Sequence, residues 1–184
     1  MKSLKTIQTL SKIGRVLSKI AFILSVIGFG GCAVGLLSLG FGSENVFKIG
    51  GVTLHGLIGN AWGYDLRSLA AALFAWMIVC AGEAVVAKFA EIYFRNEGKA
   101  GTPFTLAGAK ELLRLGILTL AISTGCAVVG SVAEEIFAGF MNVETIGATD
   151  LYFNNGGNIG LGIMFLVISL LCRYGAELIQ NDRP

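Results

Sequence analysis

The chain has 184 residues, of which 54% are hydrophobic and only 14% are charged, and its mean hydropathy is +0.74. Soluble globular domains have about 25% charged residues, so this composition excludes an ordinary soluble domain and indicates a membrane protein. The formal net charge of +2 is too small to predict direct nucleic-acid binding. His55 is the only histidine, which excludes a site built on two imidazoles.

The four cysteines fall one in each apolar segment and form no CxxC or other metal-ligand spacing. They are Cys32, Cys80, Cys126 and Cys172. We interpret them as small apolar packing residues rather than as redox or metal sites. The sequence contains no catalytic motif, and it therefore predicts no catalytic residue, no metal ligand and no cofactor.

Residues 2–20 carry a basic stripe and an apolar stripe. Lys5, Lys12 and Lys19 recur every seventh residue, and apolar side chains fall at helical spacing on another face. This pattern predicts a basic amphipathic helix that binds anionic lipids at a cytoplasmic surface. The same residues fit equally well as a cytoplasmic extension of the first spanning helix, and the sequence leaves both interpretations open.

Four apolar segments are long enough to cross the hydrocarbon core, which takes about 20 helical residues. They cover approximately residues 21–41, 66–92, 112–137 and 158–178. We predict an all-α membrane protein, a single domain of four transmembrane helices arranged as two hairpins. A cleaved signal peptide is disfavoured, because the basic region is long and the chain stays apolar through Phe41.

The distribution of basic residues predicts the orientation of these helices. Only Lys48 and Arg67 fall on the side of the two long loops. The positive-inside rule therefore places both termini in the cytoplasm. The basic residues on the cytoplasmic side are Lys2, Lys5, Lys12, Arg15, Lys19, Lys88, Arg95, Lys99, Lys110, Arg114, Arg173 and Arg183.

Residues 93–105 form the polar interruption between the second and third apolar segments, and we predict a cytoplasmic hinge there. Gly98 and Gly101 are expected to break the helix, and Pro103 favours an extended residue before it. Thr105 is the expected N-cap of the third helix. A capping box is absent, because the residue three positions later is glycine.

The two loops on the other side contain short apolar stretches. Residues 46–54 surround a Gly-Gly pair and predict a β-hairpin. Residues 143–146 and 151–153 predict further short strands, and together these elements would form a small extracytoplasmic cap.

Ionisable residues at the outer ends of two helices suggest an ion pair. Glu134 and Glu135 close the third apolar segment, and Arg67 opens the second. We predict an extracytoplasmic pairing of Arg67 with these carboxylates.

Glu83 lies within the second apolar segment. An ionisable side chain at such depth is costly and marks a candidate functional site. A structural pairing with Arg114 or Arg173 of a neighbouring helix is one interpretation, and these three residues form the candidate intramembrane polar site. A transport or signalling role and a protonated spectator are the alternatives.

Two short motifs, GTPFT at residues 101–105 and CRYGAEL at residues 172–178, resemble segments of a bacterial membrane-protein family catalogued as domain of unknown function 2975. Residues 101–105, GTPFT, followed by Lys110 and Arg114-Leu115-Gly116, resemble its "G-x-PF-T … R-x-G" segment. Residues 172–178, CRYGAEL, resemble its terminal "F-R-x-G-A-E-L" segment. The resemblance implies a four-span protein of the bacterial inner membrane, encoded near a small helix-turn-helix regulator.

We expect a non-enzymatic accessory or regulatory protein that binds a cytosolic partner, such as that regulator. The alternative is a small transporter, channel or immunity-type protein that uses Glu83 and works as a homo-oligomer. The lipid bilayer is an expected partner in both cases. The candidate partner patch is Arg95, Lys99, Pro103, Phe104, Thr105, Arg173 and Glu177.

Overall fold

The computed structural model describes residues 2–40, 48–49, 52–53, 66–100, 105–147 and 157–181. The helices and strands are α1 (Lys2–Gly40), β1 (Lys48–Ile49), β2 (Val52–Thr53), α2 (Leu66–Ala100), α3 (Leu106–Met141) and α4 (Gly157–Asn181).

Four of these helices are long and apolar enough to cross a membrane, which confirms the predicted all-α class with four candidate spans. The segments that meet both conditions are Gln8–Leu39, Arg67–Lys99, Leu106–Met141 and Gly157–Leu178. A helix of 33 residues is about 50 Å long at 1.5 Å per residue, well over the ~30 Å of hydrocarbon. The cytoplasmic location of the termini stays a prediction.

Residues 2–20 belong to the same continuous helix as the first apolar segment. Within it, Ser11 and Ser18 are buried, whereas Leu10 and Leu17 are 67% and 60% exposed. The small side chains face the protein and the apolar ones face outward. Such an outward apolar face suits contact with lipid, so the amphipathic pattern does not mark the packing face.

The predicted break at Gly98 is wrong, because α2 continues through Gly98 to Ala100. The missing side chain has a packing role instead, since a Cβ at this position would lie 3.1 Å from the Ser11 hydroxyl. Gly14 is similar, because a Cβ there would lie 2.7 Å from the Phe94 ring. Ser11 donates a hydrogen bond to the Phe94 carbonyl at 2.6 Å. Small residues thus let α1 approach α2 closely.

The start of α3 agrees with the sequence. The Thr105 hydroxyl accepts a hydrogen bond from the Gly108 amide at 2.9 Å, and the Thr105 carbonyl accepts one from the Ala109 amide. Thr105 is therefore the N-cap, as predicted.

The strands β1 and β2 form a minimal antiparallel ladder, with Lys48 opposite Thr53 and Ile49 opposite Val52. Its role as part of an extracytoplasmic cap stays a prediction. The predicted strand over residues 143–146 is wrong, because residues 143–147 adopt no strand. Residues 151–153 lie outside the described residues.

The chain divides into two compact units. Unit 1 contains Met1–Ser25, Gly82–Thr124 and Gly156–Pro184. In it, Tyr93, Leu112 and Leu115 form a buried cluster. Gly116 and Gly162 bring α3 and α4 together, because a Cβ on Gly116 would lie 3.1 Å from the Gly162 carbonyl oxygen.

Unit 2 contains Val26–Ala81 and Gly125–Asn155. Its core includes the alanine-rich face of α2, where Ala71 and Ala75 are fully buried. Phe74 of α2 stacks on Phe137 of α3, with ring centroids 5.7 Å apart.

Candidate functional site

The end of α2 and the start of α3 meet in unit 1 through a polar contact. The Asn96 side-chain amide donates to both oxygens of the Glu111 carboxylate, at 3.3 and 3.2 Å. Tyr93, one turn earlier on α2, is buried beside Leu112 and Leu115. Asn96 was not singled out from the sequence, since the predicted hinge left this stretch without helical periodicity.

A groove of about 160 Å³ opens beside this contact. Its polar members can present a hydroxyl, an amide, a carboxylate and a guanidinium to one ligand or partner side chain. The groove is lined by Phe89, Ile92, Tyr93, Asn96, Glu111, Arg114, Leu115 and Leu118.

Glu97 is the least satisfied charged residue in the described part of unit 1. It is only 7% exposed, and its buried Oε1 has no hydrogen-bond partner. Glu111 and the Cys172 thiol lie within electrostatic range. Because an unpaired buried charge is costly, Glu97 is a candidate functional residue that the sequence did not single out. The sequence signal that could have identified Glu97 is its i+4 spacing from Tyr93, which places both side chains on one face of a helix.

The predicted partner patch stays a prediction, although the two stretches that contain its residues approach each other in unit 1. Glu97 of the polar stretch lies near Cys172 of the C-terminal motif, so these two stretches are neighbours in unit 1. Arg95 and Lys99 are exposed at the end of α2. Arg173 is also exposed, and it pairs with Glu177 at 2.9 Å along α4.

Pro103 and Phe104 lie outside the described residues. Thr105 has its hydroxyl engaged as the N-cap of α3.

Glu83 lies far from Arg173, which was one of the two basic partners that the sequence left open. Its Oε1 accepts a hydrogen bond from the Asn158 side-chain amide, and Arg173 lies about 22 Å further along α4 at 1.5 Å per residue. Arg114 shares the groove of Asn96, which lies about 20 Å beyond Glu83 along α2. The three residues therefore do not form one site.

The position of Asn158 explains why α2 tolerates this carboxylate. Asn158 is the second residue of α4, so Glu83 lies close to the N-terminus of that helix. The partial positive charge at a helix N-terminus stabilises a nearby carboxylate.

Glu134 is 2% exposed in unit 2, but the predicted pairing with Arg67 is not what holds it. Its Oε1 accepts hydrogen bonds from the backbone amides of Ile146 and Gly147, both at 3.0 Å. One of these amides, that of Ile146, lies within the predicted strand over residues 143–146. Arg67 and Glu135 are exposed, and the ion pairs recorded within the described residues join Lys88 to Glu91 and Arg173 to Glu177.

The cysteines are all free thiols. The thiols of Cys32 on α1 and Cys80 on α2 lie close to each other in unit 2. Among the residues that the structure describes, no three His, Cys, Asp or Glu side chains are grouped so as to hold a metal ion.

The fold and these contacts define the class of protein: a helical protein whose described residues contain four helices compatible with multiple membrane crossings. Comparisons with protein-family models, curated proteins and solved structures found no match.

Proposed function

We propose that this chain is a non-enzymatic accessory or regulatory protein of the bacterial cytoplasmic membrane, with four transmembrane helices and both termini in the cytoplasm. Two observations support the topology. Four helices have the required length and apolarity, and twelve of the fourteen basic residues fall on one predicted side. The positive-inside rule assigns that side to the cytoplasm. The hairpin at Lys48–Thr53 then belongs to a small extracytoplasmic cap.

In this proposal unit 1 binds a cytosolic protein through the end of α2, the start of α3 and the C-terminal part of α4. The observation that carries it is the meeting of these stretches around Glu97. A buried carboxylate oxygen without a hydrogen-bond partner costs stability, so the presence of Glu97 Oε1 in this state favours a role in binding over a role in folding. Exposed Arg95, Lys99 and Tyr174 flank this region, and Tyr174 is 64% exposed. Arg and Tyr are enriched among residues that dominate binding energy.

The family resemblance adds a specific partner to this proposal. The described parts of the stretches that resemble the family of domain of unknown function 2975, at the start of α3 and in the C-terminal part of α4, both belong to unit 1. A helix-turn-helix regulator encoded nearby is the partner that the resemblance implies, and DNA contact would then belong to the regulator.

The alternative, a small oligomeric transporter, channel or immunity-type protein, depends on Glu83. The hydrogen bond to Asn158 and the position at the N-terminus of α4 give this carboxylate a structural role. A helix N-terminus stabilises a carboxylate without any transported ion. The geometry therefore favours the accessory function over transport through Glu83.

Partner capture with matched charge changes tests the proposal. We would replace Arg95, Lys99 and Arg114 by Gln in the full chain and recover bound proteins from mild detergent. The control replaces Lys12, Arg15 and Lys19 by Gln, which removes the same charge from α1. We expect a partner that copurifies with the wild type and the control to be lost from the first variant. Equal recovery from both variants would contradict the proposed surface.

The topology is tested separately by reporter fusions. A fusion after residue 50 is expected outside the cytoplasm and one after residue 101 inside it. A cytoplasmic reporter at residue 50 would reverse the assignment of the partner surface.

A further inference from the structure

A second groove of unit 1 lies between α1 and α2, and it shares Phe89 and Ile92 with the groove beside Asn96. A cavity of about 260 Å³ opens between these helices. Its lining residues are Phe22, Ala84, Val85, Lys88, Phe89 and Ile92. All but Lys88 are apolar, and Val85 and Phe89 are 45% and 37% exposed. An open groove with this lining suits a hydrocarbon chain rather than a soluble anion.

One end of the groove is strongly basic. The Lys88 ammonium lies 2.9 Å from Glu91 Oε2 and 5.3 Å from the centre of the Phe22 ring. Arg15 and Lys19 of α1 lie within electrostatic range of the same Glu91 carboxylate. Lys88 is therefore paired with a buried carboxylate, and Arg15 and Lys19 add positive charge within electrostatic range, so positive charge is in excess at this end.

The basic end and the apolar part of the groove follow one another along α1 and α2. Within unit 1, α1 and α2 run antiparallel, because Ser11 contacts Phe94 and Phe22 contacts Lys88. Arg15 and Lys19 precede Phe22 on α1, while Ala84 and Val85 lie one turn beyond Lys88 on α2. The basic end thus faces the N-terminus of the chain, and the apolar end faces the interior of the predicted spans.

We propose that this groove is a binding site for one anionic glycerophospholipid. Its phosphate contacts Arg15, Lys19 and Lys88, and the start of one acyl chain lies in the groove. Charge complementarity selects the occupant, since basic pockets between helices on the cytoplasmic side bind anionic head groups. Lys88 can serve both parts, because a long lysine stem packs on apolar surface while its ammonium reaches the head group. This inference rests on the proposed membrane location and not on a cytosolic partner.

The head-group contact is tested by lipid affinity. The full-length protein is purified in a mild detergent and titrated with phosphatidylglycerol or phosphatidylcholine, and native mass spectrometry counts the bound lipids. Replacing Arg15 and Lys19 by Gln is expected to lower the phosphatidylglycerol affinity about fivefold per charge, the equivalent of ~1 kcal/mol each. The matched control replaces exposed Lys99 and Lys110 by Gln and is expected to keep the affinity. An equal loss in both variants would show diffuse surface attraction and would overturn the site.

The acyl-chain contact is tested by filling the groove. Ala84→Phe leaves every charge in place and is expected to lower the number of retained phosphatidylglycerol molecules by one. Val128→Phe, at an exposed position of α3, serves as its control. Unchanged lipid retention by the folded Ala84 variant would contradict the proposal.

A final experiment distinguishes a lipid-binding site from a site for free phosphate. Inorganic phosphate is added to the wild-type complex at the concentration at which phosphatidylglycerol binds. We expect the lipid to stay bound, and its displacement would identify a simple anion site and overturn the lipid assignment. Correct reporter topology together with a failed lipid titration would remove this inference alone.

Discussion

The chain buries a carboxylate at the end of two different helices, and the two environments are opposite. Near the end of α3, Glu134 is 2% exposed and accepts two backbone hydrogen bonds. Near the end of α2, Glu97 is 7% exposed and its Oε1 has no partner. A buried polar group stabilises a fold when it is bonded and costs stability when it is not. We infer that the Glu134 region is built for stability and the Glu97 region for binding.

The largest effect is expected from Glu134→Ala. This change leaves two partly buried backbone amides without their acceptor, and an unsatisfied buried group costs about 1–3 kcal/mol. We expect the free energy of unfolding to fall by about 3 kcal/mol, measured by denaturant or thermal unfolding in detergent. Glu135→Ala is the control, because Glu135 is the exposed neighbour on the same helix, and it should change stability little. If both variants lower the free energy of unfolding equally, the hydrogen bonds of Glu134 do not stabilise this region.

The next largest effect is expected from Gly116→Ala in unit 1, where glycine lets α3 and α4 pack closely. A Cβ on Gly116 would lie 2.9 Å from the Leu166 side chain and 3.1 Å from the Gly162 carbonyl. Because a backbone atom cannot move aside easily, Gly116→Ala should lower the free energy of unfolding by about 2 kcal/mol. Gly125→Ala, where a Cβ would meet nothing within 4 Å, is the control on the same helix. A stable Gly116 variant would mean that α3 and α4 are not packed closely there.

A smaller effect is expected at the start of α3. Thr105→Ala removes the hydroxyl that accepts from the Gly108 amide, and loss of an N-cap costs about 1 kcal/mol. Thr105→Ser keeps the hydroxyl and should retain most of the stability. If both variants unfold alike, the cap does not stabilise this end of α3, and the packing around Tyr93 must hold it instead.

The sequence predicted the helices and one helix boundary well. Long apolar runs identify spanning helices because the bilayer sets their length, and the Thr105 cap depends only on residues next to it in the chain. The predicted end of α2 was wrong because Gly98 was interpreted as a local helix breaker. Its actual neighbour, Ser11, is distant in sequence, and only the packing of α1 on α2 explains the glycine.

The candidate sites were harder to predict for the same reason. Glu83, Glu134 and Glu97 are equally visible as carboxylates near or within apolar sequence. Their roles are decided by Asn158, by the amides of Ile146 and Gly147, and by a missing partner. An opposite charge was the natural expectation for a buried carboxylate, yet a side-chain amide, backbone amides and a helix N-terminus provide the recorded contacts. Backbone partners of this kind leave no signature in the residue types.

The smallest effect on stability, and the sharpest test of the comparison, is expected from Glu97→Met. Methionine has a similar length and brings no unpaired polar atom, and its neutrality removes the repulsion between Glu97 and Glu111. Replacing an unsatisfied buried polar group by an apolar one of similar shape is neutral or stabilising. We therefore expect the free energy of unfolding to stay the same or to rise by up to about 1 kcal/mol, the opposite sign to Glu134→Ala.

The control for this change is Glu111→Met, which removes the acceptor of the Asn96 amide and should destabilise slightly. If Glu97→Met unfolds as readily as Glu134→Ala, Glu97 is a second structural anchor and the contrast between the two helix ends is wrong. If the variant stays folded but no longer recovers the partner that the wild type captures, the carboxylate is retained for binding. Stability and partner recovery must therefore be measured on the same preparation, because only their separation distinguishes a binding residue from a packing residue.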